Sequence, residues 1–179
     1  MIVRITIEFF KIMKEQIQPV TEFLAEQVYL PGYMCLATQD YDQNGATFTF
    51  NVREPPVARG DIVHYVTPRG LHICISQAGY ALAEHLAEEG RLGDLTLENL
   101  RKTLLTGRVK IREIYEKFRK ELLLKDPIQA RFNVDRLRTG NPSLMKLVFS
   151  FQNLAIEGFF SSAIAPEPVI SLNTGVTIF

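Results

Sequence analysis

Apolar residues recur at helical spacing over residues 8–29: Phe9, Ile12, Met13, Ile17, Val20, Phe23, Leu24 and Val28. That spacing lines one face of a helix and predicts an amphipathic one. Pro19 breaks or kinks it, Thr21 and Glu22 restart it, and Pro31-Gly32 ends it. Residues 33–52 then read as a β-hairpin. Asp42-Gln43-Asn44-Gly45 supplies the turn, because Asn-Gly tolerates positive φ, and Thr47 to Val52 alternates as a half-buried strand does. A Pro-containing loop covers 53–63. Over 69–89 the apolar positions, among them Leu71, Cys74, Ile75, Ala78, Leu82 and Leu86, occupy nearly every face, which predicts a helix buried on most sides. Gly90 is placed to cap its C-terminus.

A shorter helix is predicted at 96–105, with Thr96 as N-cap and Glu98 and Asn99 in its first turn. The pattern does not decide residues 108–120. Ile111, Ile114, Tyr115 and Phe118 fit a helix, and they also fit a strand with Ile111 and Tyr115 on one face and Ile114 and Phe118 on the other. Pro127 marks a break. Residues 128–138, 144–152 and 155–164 read as strands, with turns at Asn141-Pro142 and Gln152-Asn153. The stretch 165–179 reads as irregular, with Gly175–Phe179 as an option for a terminal strand. One largely buried helix, preceded by a hairpin and followed by several strands, implies an α+β fold: a curved antiparallel sheet wrapped around a long buried helix.

The length of 179 residues is that of one domain able to bury a real core. Lys plus Arg and Asp plus Glu are equal at 20 each, so the basic excess of a nucleic-acid binder is missing. Cys35 and Cys74 lie in apolar runs and are read as reduced core thiols, too few for a disulfide framework. Arg4, Glu8, Lys11 and Lys14 interrupt the apolar start of the chain, which therefore lacks the core of a signal peptide. No stretch reaches the ~20 apolar residues of a membrane helix. The expectation is a cytoplasmic protein with no membrane or nucleic-acid partner.

No phosphate-cradling glycine loop, paired-cysteine metal motif or nucleophile elbow is present, so neither a metal nor a bound cofactor is expected. Glu84, Glu88 and Glu89 read as a solvated helix end. Residues 64–80 stand out because they join polar groups to the start of the buried helix. The N–H groups there, near Gly70, Leu71 and His72, would hold a carbonyl as it becomes an oxyanion, and His64 just upstream is the nearby general base. His72 lies on a mostly apolar face, which favours a core or interface histidine over a catalyst. His85, near the helix end, reads as a surface residue or a favourable C-terminal charge. Ser76 and Gln77 are polar within an apolar helix and need partners: neighbouring backbone, a subunit interface or a substrate.

From about residue 22 to 164 the order of features resembles the FcoT family of long-chain fatty acyl-CoA thioesterases, which have the hot-dog fold. The matching residues are Glu54 with Arg59, His64-Tyr65, Cys74-x-x-Gln77 with Tyr80, Phe118-Arg119-Lys120 and Ala130-Arg131-Phe132. The resemblance implies that 108–120 is a strand. It implies a thioesterase acting on acyl thioesters of coenzyme A or acyl carrier protein, of a family that works through Tyr and Asn side chains rather than a classical base. Joined to the helix-end reading above, it gives Tyr33, His64 and Ser76 as catalytic, with His64 as base or orienter, and Tyr65, Thr67, Gly70, Leu71, His72 and Gln77 at the substrate. A thioester dehydratase or lyase and a non-catalytic acyl-binding module are the alternatives. Several polar positions of the family pattern differ here. A tyrosine in the loop before the histidine falls on Val57, an asparagine after it falls near Val66 or Thr67, and the asparagine before the glutamine is Ser76. Tyr33 matches only with a one-residue gap. The family commonly shares its site between two subunits, which implies a homodimer or an assembly of dimers, as does a helix at 71–86 judged too apolar for one curved sheet to cover.

Overall fold

The computed structural model describes residues 19–30, 33–52, 66–122, 127–152 and 154–166. The sequence readings over 8–18, over the loop at 53–63 and beyond 166 lie outside the described residues.

Pro19 stands at the N-cap of α1, Val20–Phe23, which runs on as a π-helical turn, Leu24–Val28. The restart after Pro19 is therefore as expected, and the helix ends at Val28, close to the expected end ahead of Pro31-Gly32. The hairpin is β1, Leu36–Asp42, and β2, Gly45–Phe50. Its turn is built differently from the expectation. Gln43 and Asn44 are the central pair, neither has positive φ, and Asp42 Oδ1 accepts from the N–H groups of Asn44 and Gly45 at 2.9 and 3.1 Å. Arg131 also hydrogen-bonds Asp42 and, with these N–H groups, draws its carboxyl down to about 2. Gly45 is needed for a close approach instead: β2 passes so near β4 that a Cβ would collide with the Phe132 carbonyl.

The central helix, α2, spans Pro68–Glu88. Thr67 caps it, Pro68 fits the first turn because its missing N–H would be unsatisfied there anyway, and Gly90 ends it at φ +69°. Arg91 N–H donates to Leu86 O and Gly90 N–H to Ala87 O, at 2.8 and 3.0 Å, the paired bonds of a Schellman cap. Next comes α3, Leu97–Leu105, with the expected Thr96 side chain accepting from Asn99 N–H at 3.3 Å. Four strands complete the chain: β3, Val109–Phe118; β4, Ile128–Arg138; β5, Ser143–Phe151; and β6, Ile156–Ile164.

The six strands form one antiparallel sheet in the order β1-β2-β4-β5-β6-β3. The ambiguous segment is thus a strand, and among the described residues it pairs with β6 alone. Its faces are not those read from simple alternation. A bulge between Ile111 and Glu113 shifts the phase, as an extra residue in a ladder does. Ile111 then lines the helix side beside Ser76, on the same side as Glu116, which reaches His72. Tyr115 takes the opposite face and stacks on Phe159 at 5.6 Å between centroids.

The inward positions of β2, β4 and β5 carry Phe48, Phe50, Phe132, Phe149 and Phe151, whose rings meet at tilted and edge-on angles. Leu71, Cys74, Ile75, Ala78 and Leu82 of α2 are buried against them. The sheet does not cover α2 alone: α1 and α3 pack on it as well and share the cover of its apolar faces. Cys35 and Cys74 are buried thiols without a disulfide. Gly79 is explained by Phe160 of β6: a Cβ on the helix would lie 2.8 Å from the ring. A core aromatic side chain makes that approach.

Glu84 departs furthest from the sequence reading. It is 2% exposed, and both its oxygens accept from Arg101, at 3.0 and 2.8 Å. The Arg101 guanidinium lies 4.6 Å over the Phe23 ring, so one charge pair ties α2 to α3 and α1. His85 is also more engaged than a surface residue: it stacks on Tyr41 at 4.1 Å, whose hydroxyl donates to Ala81 O at 3.2 Å.

Candidate functional site

The N-terminus of α2 is the meeting point of most of the residues singled out in the sequence. Thr67 Oγ1 accepts from Gly70 N–H at 3.2 Å and Thr67 O from Leu71 N–H at 2.9 Å. These two donors, assigned above to a substrate carbonyl, are therefore engaged by the cap in this structure. Pro68 has no N–H, which leaves Arg69 as the other donor of the first turn. Leu71 itself is fully buried in the core.

Tyr33 is brought to the same helix end. Arg69 Nη2 donates to its hydroxyl at 3.1 Å, and the guanidinium lies 5.5 Å from the centre of its ring. Gln77, fully buried one turn beyond Ile73, holds this segment in place. Its Oε1 accepts from the N–H groups of Cys35 and Leu36 at 3.0 and 2.8 Å, and its Nε2 donates to Tyr33 O at 2.8 Å. In this structure Gln77 makes those polar bonds to chain backbone, the first of the three partners allowed for it.

An open cleft of about 430 Å³ runs along the exposed side of this helix end, lined by Tyr29, Pro68, Arg69, His72, Ile73 and Ser76. Burial pushes the Tyr29 phenol up, with Tyr80, Cys35 and Cys74 adding to it in that order. The phenol therefore stays protonated and can donate a hydrogen bond. Ser76 borders a second space as well, a narrow apolar crevice between α2 and the strands β3, β5 and β6 that Gly79, Tyr80, Ile111, Phe160 and Ser162 also line. The hydroxyl of Ser162 is buried there without a hydrogen-bond partner among the described residues.

The structure thus gathers Tyr33, Thr67, Gly70, His72 and Ser76 around one helix end and places Gln77 behind it. His64 and Tyr65 lie outside the described residues. Sequence reasoning missed Glu116, which meets His72 from β3, and Arg69, which joins Tyr33 to the helix. Arg69 could have been noticed, because it occupies the first turn of the capped helix. Nothing local marked Glu116 among the alternating charges of its strand. Among the described residues no cluster of side chains could hold a metal ion, and no helix is long and apolar enough to cross a membrane.

The sequence matches no family model and no curated protein. In three dimensions the chain is similar to a candidate thioesterase of Syntrophus aciditrophicus SB, with a TM-score of 0.56 and 13% identity, over 81% of this chain and 94% of that one. It is also similar to a thioesterase-superfamily protein of Shewanella loihica PV-4, with a TM-score of 0.47 and 10% identity, over 80% of this chain and 100% of that one. Together with the strand order, the first of these likenesses shows the α+β hot-dog fold.

Proposed function

We propose that this protein acts on acyl thioesters of coenzyme A or acyl carrier protein and hydrolyses them, in the manner of the FcoT-type enzymes its sequence resembles. The observation that carries this is the double role of Ser76. It lines an open cleft beside the start of α2 and also borders a narrow apolar crevice between α2 and the sheet, so a group held by its hydroxyl meets apolar surface on either side. The hot-dog fold, shared with a candidate thioesterase, supports the same choice. Tyr33, Arg69 and Tyr29 would bind and orient the head group.

A non-catalytic acyl-binding module is the second reading, favoured by Val57 and Ser76 at positions where the FcoT pattern has Tyr and Asn. Turnover and binding across a panel of acyl-CoA chain lengths separate the two. Hydrolysis of at least one chain length is the expected result. Tight binding without turnover would support the module, and neither binding nor turnover would sink both.

The working unit proposed is a homodimer. Among the described residues the long edge strand β3 pairs on one side only, and it exposes Ile111, Tyr115 and Phe118. Those three apolar side chains, set among the charges of the strand, are surface that a second copy of the chain can cover. Sedimentation at micromolar concentration should give a dimer or larger, with an interface above ~1,000 Å²; a monomer would count against a shared site.

A further inference from the structure

The geometry points to His72 as the proton-transfer group of this site and to Glu116 as its positioning residue, an inference that rests on the proposal of thioester hydrolysis above. His72 lies on α2 at the cleft and is 49% exposed, whereas the Glu116 side chain on β3 is 13% exposed; the imidazole Nε2 stands 2.7 Å from Glu116 Oε1. That carboxylate oxygen is enclosed and receives no well-directed hydrogen bond from the described residues, so its position is suited to one neighbour, the imidazole.

A buried carboxylate oxygen facing one ring nitrogen holds a proton on that nitrogen and leaves the lone pair on the other. The 2.7 Å approach becomes a hydrogen bond when the ring turns to aim Nε2–H at Oε1, which leaves Nδ1 as the basic nitrogen. The pair has the form of a base with its orienter, assembled from a helix and an edge strand 44 positions apart in sequence. Ser76 follows His72 by one helical turn and lines the same cleft, so a carbonyl lodged by Ser76 has the imidazole beside it.

The step this allows is hydrolysis. His72 Nδ1 takes a proton from water as the water oxygen bonds to the thioester carbonyl carbon. The tetrahedral adduct then collapses, the C–S bond breaks, and the imidazolium returns its proton to the departing thiolate. The products are a carboxylic acid and a thiol.

The test uses the full chain and the acyl-CoA that wild type hydrolyses best, with His72→Ala, Glu116→Gln, Glu116→Asp and His64→Ala. Loss of a general base costs about 10²–10⁴-fold, so kcat of His72→Ala should fall by that factor with KM within about twofold, and added imidazole should restore part of it. Glu116→Gln should lose at least about tenfold in kcat, and Glu116→Asp should retain more than Glu116→Gln. A merely structural contact would show neither the imidazole rescue nor the split between kcat and KM. Full activity in His72→Ala, or a large loss confined to His64→Ala, overturns the assignment while leaving thioester hydrolysis intact. Absence of wild-type turnover overturns both.

Discussion

Replacing Arg101 with alanine is expected to cost the fold about 3–5 kcal/mol, the usual penalty for stranding one partner of a buried ion pair. Glu84 would be left at the helix interface with both oxygens deprived of their donors, and Phe23 would lose the guanidinium lying over its ring. Urea unfolding at neutral pH measures the loss directly. The double variant Glu84→Leu/Arg101→Met should lose less than Arg101→Ala, because the desolvation cost of the pair disappears along with its attraction. The pH dependence has a defined sign. Burial pushes the Glu84 carboxyl up, against the lowering effect of Arg101. A carboxyl whose folded value lies above its unfolded value destabilises the fold at neutral pH, and protonation relieves the penalty as pH falls through the folded value toward the unfolded one. Without Arg101 the upward push is unopposed, so the deficit of Arg101→Ala should shrink as the pH is lowered from 7 toward 5. A deficit that stays constant or grows would mean that Glu84 relaxes to solvent in the variant.

Gln77→Leu is expected to cost about 2–6 kcal/mol, since two buried N–H groups, those of Cys35 and Leu36, lose their acceptor at about 1–3 kcal/mol each. The leucine fills a similar volume, so packing alone predicts a much smaller effect. The segment released is the one that carries Tyr33 to the helix end, and the consequence reaches the site. Amide exchange at Cys35 and Leu36 should accelerate by at least tenfold relative to the core of β4, and Tyr33 should no longer meet Arg69. Unchanged exchange at those two amides would show that backbone or water replaces the glutamine at little cost.

The sequence by itself determined what depends on near neighbours. Thr67 and Thr96 caps, the glycine that closes the central helix, the alternation of Phe48 and Phe50, and the apolar saturation of 71–86 all act within a few residues, and each appears in the fold where the pattern put it. The helix face and strand face of 108–120 have nearly the same local signature, so the choice was made by pairing with β6, whose partner residues lie 38 to 55 positions further on. The bulge at Ile111–Glu113 then moved Ile111 to the face opposite Tyr115, which no period-two count could anticipate. Gly79 announced a close approach but not its partner, because the Phe160 ring comes from the far end of the sheet. Glu84 looked solvated because it was grouped with Glu88 and Glu89, which are exposed, and only the packing of α3 across α2 made it a buried ion-pair partner. The same holds for the site. Residues near the start of α2 were legible because a capped helix end and its polar neighbours are contiguous in the chain. Glu116 and the restraint of Tyr33 by Gln77 were decided by tertiary structure alone, since distance in space between a helix and an edge strand leaves no trace in the spacing of residues along either one.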